Sequence, residues 1–299
     1  MTLTKPAADF LKKLGLYWGI GTAAVVATLL LPWHLKLIPQ FVLGAMFAHG
    51  VELEHEMIHQ RHFGKRWGDG IGFLLGLPML VEFSRYRVTH CYHHRAVGTP
   101  DDEESFSYDF GQLGAPVSFL LHLSMVSHYI GVVKNMAYAL VGNRDRIRER
   151  MGNAGKTAAR SAVRQIMRGY CVMAGLLVGA IALSIVLKSG LLIQLWLIPL
   201  IFANPIHALV ELPEHWGCDT TSTDMMVNTR TITPSAFAYW FTNGNCWHVE
   251  HHYRPALPMA DLPELHGEIA PQIQFSNHGY GEFYLQFFAA LFKSQKLAH

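Results

Sequence analysis

The sequence predicts an all-α integral membrane protein: four transmembrane helices in two hairpins, interfacial helices, and a cytoplasmic histidine-rich cap built for two metal ions. Three observations predict it. The 299-residue chain is 51% hydrophobic and only 15% charged, where an ordinary globular protein carries about 25% charge. Four of its stretches supply the roughly 20 mainly apolar residues that a span requires. Nine histidines gather in four short clusters beside long apolar segments: His55 and His59; His90, His93 and His94; His215; and His248, His251 and His252.

The four spans fall at about 14–33, 35–54, 167–187 and 190–210. Very short turns, Pro32 to Lys36 and Lys188 to Gly190, pair them into two hairpins within one domain covering 1–299. The first span follows Lys5, Lys12 and Lys13 like a signal peptide, but it is too long for one and lacks a convincing cleavage site, so it reads as a retained anchor. Arg144, Arg146, Arg148, Arg150, Lys156, Arg160, Arg164 and Arg168 crowd one loop, whereas the hairpin turns carry only Lys36 and Lys188. By the positive-inside rule that loop, both termini and all nine clustered histidines are expected in the cytoplasm.

Residues 115–141 are also apolar, yet they contain His122, His128 and Lys134. A fifth span there would put the arginine-rich loop and the first two histidine clusters on opposite sides, so this stretch is expected to lie in the interface, as are 71–83 and 282–292. The arginine run reads as a solvated helix near anionic lipid rather than a nucleic-acid site.

Histidines three and four residues apart share one face of a helix. HEMIH, HCYHH and HVEHH therefore each aim two or three nitrogens at one point. Nine nitrogens exceed the needs of one tetrahedral zinc, so two ions are the economical reading, and neutral imidazole suits iron, zinc, copper or nickel. His34, His49, His62, His122, His128, His207, His266, His278 and His299 stand singly and are expected to be hydrogen-bonded residues without a metal.

Other chemistries have weaker signals. His55, Glu56 and His59 also spell HExxH, a zinc-protease motif with Glu56 as general base, but that reading leaves HCYHH and HVEHH without a purpose. A metal transporter would string its ligands along the spans rather than gather them at helix ends. Cys91, Cys171, Cys218 and Cys246 form no CxxC pair, and no nucleotide-binding fingerprint is present.

The series His55-x3-His59, His90-x2-His93-His94 and His248-x2-His251-His252 resembles, in order and spacing, the three histidine boxes of the membrane fatty-acid desaturase and hydroxylase superfamily. The resemblance covers residues 35–265. Glu214-His215-Trp216-Gly217 is similar to an additional element of the membrane alkane hydroxylases, while Asn228-Thr229-Arg230-Thr231 and the WHVEHH stretch look like bacterial acyl desaturases. The resemblance implies two non-haem iron ions with O2 as co-substrate, the eight box histidines as ligands and His215 as a ninth. It implies oxidation of an unactivated C–H bond in a fatty acyl or other lipid chain, with desaturation expected ahead of hydroxylation or oxidative decarboxylation. A bacterial inner membrane is the expected location.

Glu56, Glu211, Glu214 and Glu250 lie beside or one turn from these histidines; Glu56 and Glu250 are expected to accept an imidazole N–H, and Glu211 to do so or touch the metal. Asp101, Asp102, Glu103 and Glu104 read as a polar loop. No haem, flavin or iron–sulfur motif is encoded, so a separate donor of ferredoxin, rubredoxin or cytochrome type is expected. Arg61, Lys65, Arg66, Arg85 and Arg87 could steer an acidic carrier to the boxes.

Overall fold

The computed structural model describes residues 5–60, 62–102 and 116–297. Arg61, Glu103 and Glu104 lie outside the described residues. The leading helices are α1 (Lys5–Leu30), α2 (Leu37–His59), α3 (Gly64–Gly76), α4 (Phe83–Ala96), α5 (Pro116–Ser124) and α6 (Val126–Leu140). Two short helices, α7 (Arg144–Glu149) and α8 (Gly152–Thr157), precede the long α9 (Arg160–Val186) and α10 (Ile198–Glu211). The remainder is made of α11 (Met225–Asn228), β1 (Arg230–Ile232), α12 (Ala236–Phe241), α13 (His248–Tyr253), α14 (Leu262–Ile269), β2 (Phe275–Asn277) and α15 (Tyr280–Leu297).

Two compact units divide the chain, one of Met1–Val88 with Met125–His207 and the other of Thr89–Ser124 with Ala208–His299. In the first, α1 packs on α2, α2 on α3, and α9 on α6. Among the described residues, three helical stretches are long and apolar enough to cross a membrane: Lys5–Leu30, Arg160–Val186 and Ile193–Glu214. They coincide with three of the expected spans. The expected span at 35–54 is not among them, because α2 carries Gln40, His49, Glu52 and Glu54 and buries most of its length in protein. Val117–Ser124 and Val126–Leu140, bent by 48° about Met125 with its φ of 52°, are long and apolar enough only as a pair, as a broken span or a re-entrant loop, where an interfacial helix was expected.

Gln40 of α2, and Lys36 just before it, find partners inside the same unit. Gln40 donates to the Gln194 carbonyl at 2.9 Å, and Lys36 to Gln194 Oε1 at 2.8 Å. Gly44 lets α2 approach α10 closely, since a Cβ there would fall 2.4 Å from the Pro199 carbonyl oxygen and 2.9 Å from Phe202 Cβ. Gly44→Leu is therefore expected to destabilise the protein by about 3 kcal/mol. Thermal denaturation in detergent checks this, and an unchanged midpoint would contradict the close packing.

Much of the arginine-rich loop is structural. Arg148 donates to the Gly155 and Ala158 carbonyls at 2.9 and 2.7 Å, tying α7 to α8, and Arg150 donates to Asn135 Oδ1 on α6 at 2.6 Å.

The second unit departs from the all-α expectation. β1 pairs in parallel with β2, Arg230 opposite Phe275 and Ile232 opposite Asn277. Three-residue strands carry too little alternation to register as sequence periodicity. Around them Leu212, Ile232, Cys246, Trp247, Met259, Leu262, Phe283 and Phe287 form the core. Trp216 packs edge-on against Phe287, with ring centroids 4.9 Å apart.

Candidate metal centre

In the first unit His55 and His59 sit one turn apart on α2, as their spacing requires, with ring centroids 5.1 Å apart. Glu56, between them in sequence, is engaged elsewhere. Its Oε2 accepts from Lys13 Nζ at 2.8 Å and its Oε1 contacts His62 Nε2 at 3.0 Å. The carboxylate thus fixes α2 to α1 and to the chain beyond it. A general base in an HExxH site would need that carboxylate turned toward the metal-bound water.

The second unit holds the other seven clustered histidines. α4 presents His90, His93 and His94, α13 presents His248, His251 and His252, and the turn after α10 presents His215. Ligand nitrogens of His93, His215, His248 and His252 all lie within 4.8 Å of one another, as do those of His90, His94 and His251. In the quartet, His252 Nε2 stands 3.3 Å from His93 Nε2 and 3.1 Å from His248 Nε2. In the trio, His94 Nε2 and His90 Nε2 are 3.0 Å apart.

In His93, His215 and His248 the outer nitrogen determines what the inner nitrogen is. His93 Nδ1 lies 3.0 and 3.1 Å from the two carboxylate oxygens of Asp102. His215 Nδ1 meets the Asn228 carbonyl at 3.0 Å, and His248 Nδ1 meets Asn245 Oδ1 at 3.1 Å. Each acceptor can only accept, so each Nδ1 carries the proton and each Nε2 points its lone pair inward. The lone pairs of His93, His215 and His248 repel unless a cation, or a proton on His252 Nε2, sits among them. A tetrahedral ion with bonds of about 2.1 Å separates its donor atoms by about 3.4 Å, close to the separations found, so the residues fit a metal. Burial lowers the pKa of His252 well below the ordinary histidine value, assisted by His94 and His248, which keeps the ring in the neutral form that ligates.

Asp102 was expected to be part of a polar loop, yet it is buried against His93. The chain returns it there through a tight turn. Gly98 has φ of 78°, where a Cβ would overlap the Ser222 carbonyl, and the Asp102 amide donates to the Thr99 carbonyl at 3.1 Å. Nothing in the spacing of nine residues between His93 and Asp102 signals this return. Asp102→Asn should weaken metal retention roughly 10–100-fold while the fold persists. Competition with a chelator measures it, and unchanged retention would remove Asp102 from the site.

The glutamates take other places than expected. Glu250, fully buried between His248 and His251, accepts from Thr231 Oγ1 at 2.6 Å and pairs with His266 Nδ1 at 2.5 Å. It therefore anchors α13 to β1 and α14 instead of accepting an N–H from one of the clustered imidazoles. His266, read from sequence as an ordinary histidine, is its partner and lies beside Trp247. The carboxylate oxygen found at the quartet is Glu214 Oε2, 3.3 Å from His248 Nε2, with Glu214 Oε1 accepting from Asn245 Nδ2 at 2.8 Å. Glu211 ends α10, half-buried, one turn earlier.

Asn228-Thr229-Arg230-Thr231 is the strut between His215 and α13. The Asn228 carbonyl holds His215, and Thr231 Oγ1 accepts from the Val249 amide at 3.1 Å while donating to Glu250. Arg230, buried between Phe275 and Phe283, donates to the Pro213 and Trp216 carbonyls at 3.2 and 2.9 Å and to Asn277 Oδ1 at 2.8 Å. One guanidinium thus fixes both flanks of His215 to the β-pair.

Membrane-length helices and two sets of converging imidazoles that could hold metal make this a candidate membrane metalloprotein. A profile of the fatty acid desaturase family matches residues 31–284, and the chain belongs to that family of oxidoreductases. A ceramide hydroxylase of Caulobacter vibrioides (strain NA1000 / CB15N) is 25% identical over 290 residues, 88% of this chain and 80% of its own. An sn-1 oleoyl-lipid 12-desaturase of Picosynechococcus sp. is 28% identical over 89 residues, 29% of this chain and 25% of its own. An sn-1 acyl-lipid omega-3 desaturase (ferredoxin) of Nostoc sp. (strain 36) is 33% identical over 88 residues, 29% of this chain and 24% of its own. Family membership and the engagement of Glu56 together leave the protease reading without support.

Proposed function

We propose that this protein is a membrane di-iron enzyme that uses O2 to hydroxylate an unactivated C–H bond in the hydrocarbon chain of a lipid. The observation that carries it is the buried quartet of His93, His215, His248 and His252, whose lone pairs converge in a chain of this family. His93, His215, His248 and His252 would hold one ion and His90, His94 and His251 the other, with His55 and His59 the remaining ligands that the family's first histidine box implies. When bound, the irons would activate O2, which is the oxidant of the C–H bond. Asp102, Asn245 and the Asn228 carbonyl orient the imidazoles, and burial of the quartet excludes water from them.

Hydroxylation is preferred because the relative named for it matches 88% of the chain. Desaturation is the second reading, favoured by the shorter but more identical desaturase matches and by the Asn228–Thr231 stretch. The cycle needs electrons from a separate carrier of ferredoxin, rubredoxin or cytochrome type. Exposed Lys65 and Arg66 suit its docking; Arg87 is paired with Asp69 at 2.6 Å, and Arg85 donates to the Arg150 carbonyl at 3.3 Å and caps onto Glu82. The distribution of basic residues supports a cytoplasmic site in a bacterial inner membrane, with both termini on that side.

Detergent-purified, iron-loaded protein given O2, a reductant with its carrier, and a panel of ceramides and acyl lipids tests this. A product that gains one oxygen is expected. A product lighter by two hydrogens would establish the second reading, and no oxidised lipid across the panel would overturn both.

A further inference from the structure

α9 carries two unlike faces. Val163, Ile166, Tyr170, Met173 and Ala174 are buried, and Tyr170 Oη accepts from Asn135 Nδ2 at 3.0 Å, so this face packs on α6. The other face follows one ridge at a spacing of four residues, Arg160, Arg164, Arg168, Val172 and Leu176, and every member is exposed. Among the described residues Arg160, Arg164 and Arg168 make no hydrogen bond or ion pair, unlike Arg148 and Arg150 before them. Asp69, which Gln165 brings to this end of α9 through a 2.6 Å hydrogen bond, is paired with Arg87 at 2.6 Å and leaves the three arginines uncompensated.

Height along the helix decides what covers the ridge. α9 is long and apolar enough to cross a membrane. From Gly169 to its end at Val186 it rises about 27 Å at 1.5 Å per residue, close to the hydrocarbon thickness of about 30 Å. Arg168 therefore stands at the edge of the hydrocarbon, with Arg164 about 6 Å and Arg160 about 12 Å farther out. The head-group layer of one leaflet is roughly 5–8 Å deep, and helical side chains lean toward the N-terminus, which here is outward. Arg168 and Arg164 thus end among the phosphates, and Arg160 stands above them. Val172 and Leu176, 53% and 49% exposed, meet the tails of the same lipids.

From this order we infer that the Arg164–Arg168 step binds an anionic phospholipid, its phosphate held between the two guanidiniums and one acyl chain lying along Val172 and Leu176. The planar fork of arginine matches phosphate oxygens bidentately. Two neighbouring cations without a carboxylate partner favour a head group of net negative charge over a zwitterion, whose own cation they repel. The inference stands apart from the oxidase reading, since it needs only a spanning α9.

Nanodiscs of equal dioleoyl phosphatidylglycerol and dioleoyl phosphatidylcholine test this, with the full-length protein ejected from them into a native mass spectrometer and the lipids that stay bound counted. Phosphatidylglycerol is expected ahead of phosphatidylcholine by about thirtyfold in the first retained lipid, the effect of two arginines near an anionic surface. The double variant Arg164→Gln/Arg168→Gln should abolish the preference, and Arg160→Gln, above the head groups, should leave it near the wild-type value. Equal retention of the two lipids by the wild type overturns the inference whether or not the double variant folds, and leaves the ridge to an acidic protein partner. A preference that survives in the double variant overturns the assignment to these two residues. Loss in Arg160→Gln as deep as in the double variant overturns the phosphate site in favour of the diffuse charge of the whole loop.

Discussion

His252→Ala is expected to abolish turnover and release one of the two metal ions. His252 Nε2 lies between those of His93 and His248, at 3.3 and 3.1 Å, so its removal takes out the donor that links the other members of the quartet. A tetrahedral ion left with three imidazoles loses the closed coordination that structural sites use. The effect on the empty protein should be small. Without metal, neutral imidazoles with converging lone pairs repel, and alanine relieves that crowding. Metal-loaded His252→Ala should therefore melt well below loaded wild type, while the chelated forms of the two differ little. A chelator-dependent shift in melting temperature as large in the variant as in wild type would show that His252 holds no metal.

Arg230→Ala is expected to destabilise the protein by roughly 3–9 kcal/mol, because three buried acceptors, the carbonyls of Pro213 and Trp216 and Asn277 Oδ1, each lose their donor at about 1–3 kcal/mol apiece. Cation–π contacts to Phe275 and Phe283 are lost with them. Because these acceptors flank His215 and join the β-pair, loss of metal should accompany loss of stability. Arg230→Lys keeps the charge but places one point donor where a planar fork met three acceptors, and should fall between. Denaturant titration with metal analysis of all three proteins checks the order. Equal stability of Arg230→Ala and wild type would mean the strut bears no strain from the site.

Different parts of this architecture were legible from sequence for physical reasons. Histidines three and four apart on α4 and α13 must share a face wherever those helices lie, so the grouping of His90 with His94 and of His248 with His252 follows from helical geometry alone. Apolar length likewise revealed three of the membrane-length helices. Asp102 was hidden because its role depends on a turn through Gly98 that folds the chain back on α4. Arg230 stood out only as part of a resemblance; its task appears once β1 pairs with β2, which no local periodicity announces. Glu250 shows the converse. Its place between two clustered histidines suggested one of those imidazoles as its partner, but α13 turns its carboxylate toward Thr231 and toward His266, outside the clusters.

Metal content of the freshly purified, detergent-solubilised protein tests the central claim most directly. Two irons per chain, falling when His252 is replaced, are predicted. One zinc per chain, or metal content indifferent to His252, would contradict the di-iron account.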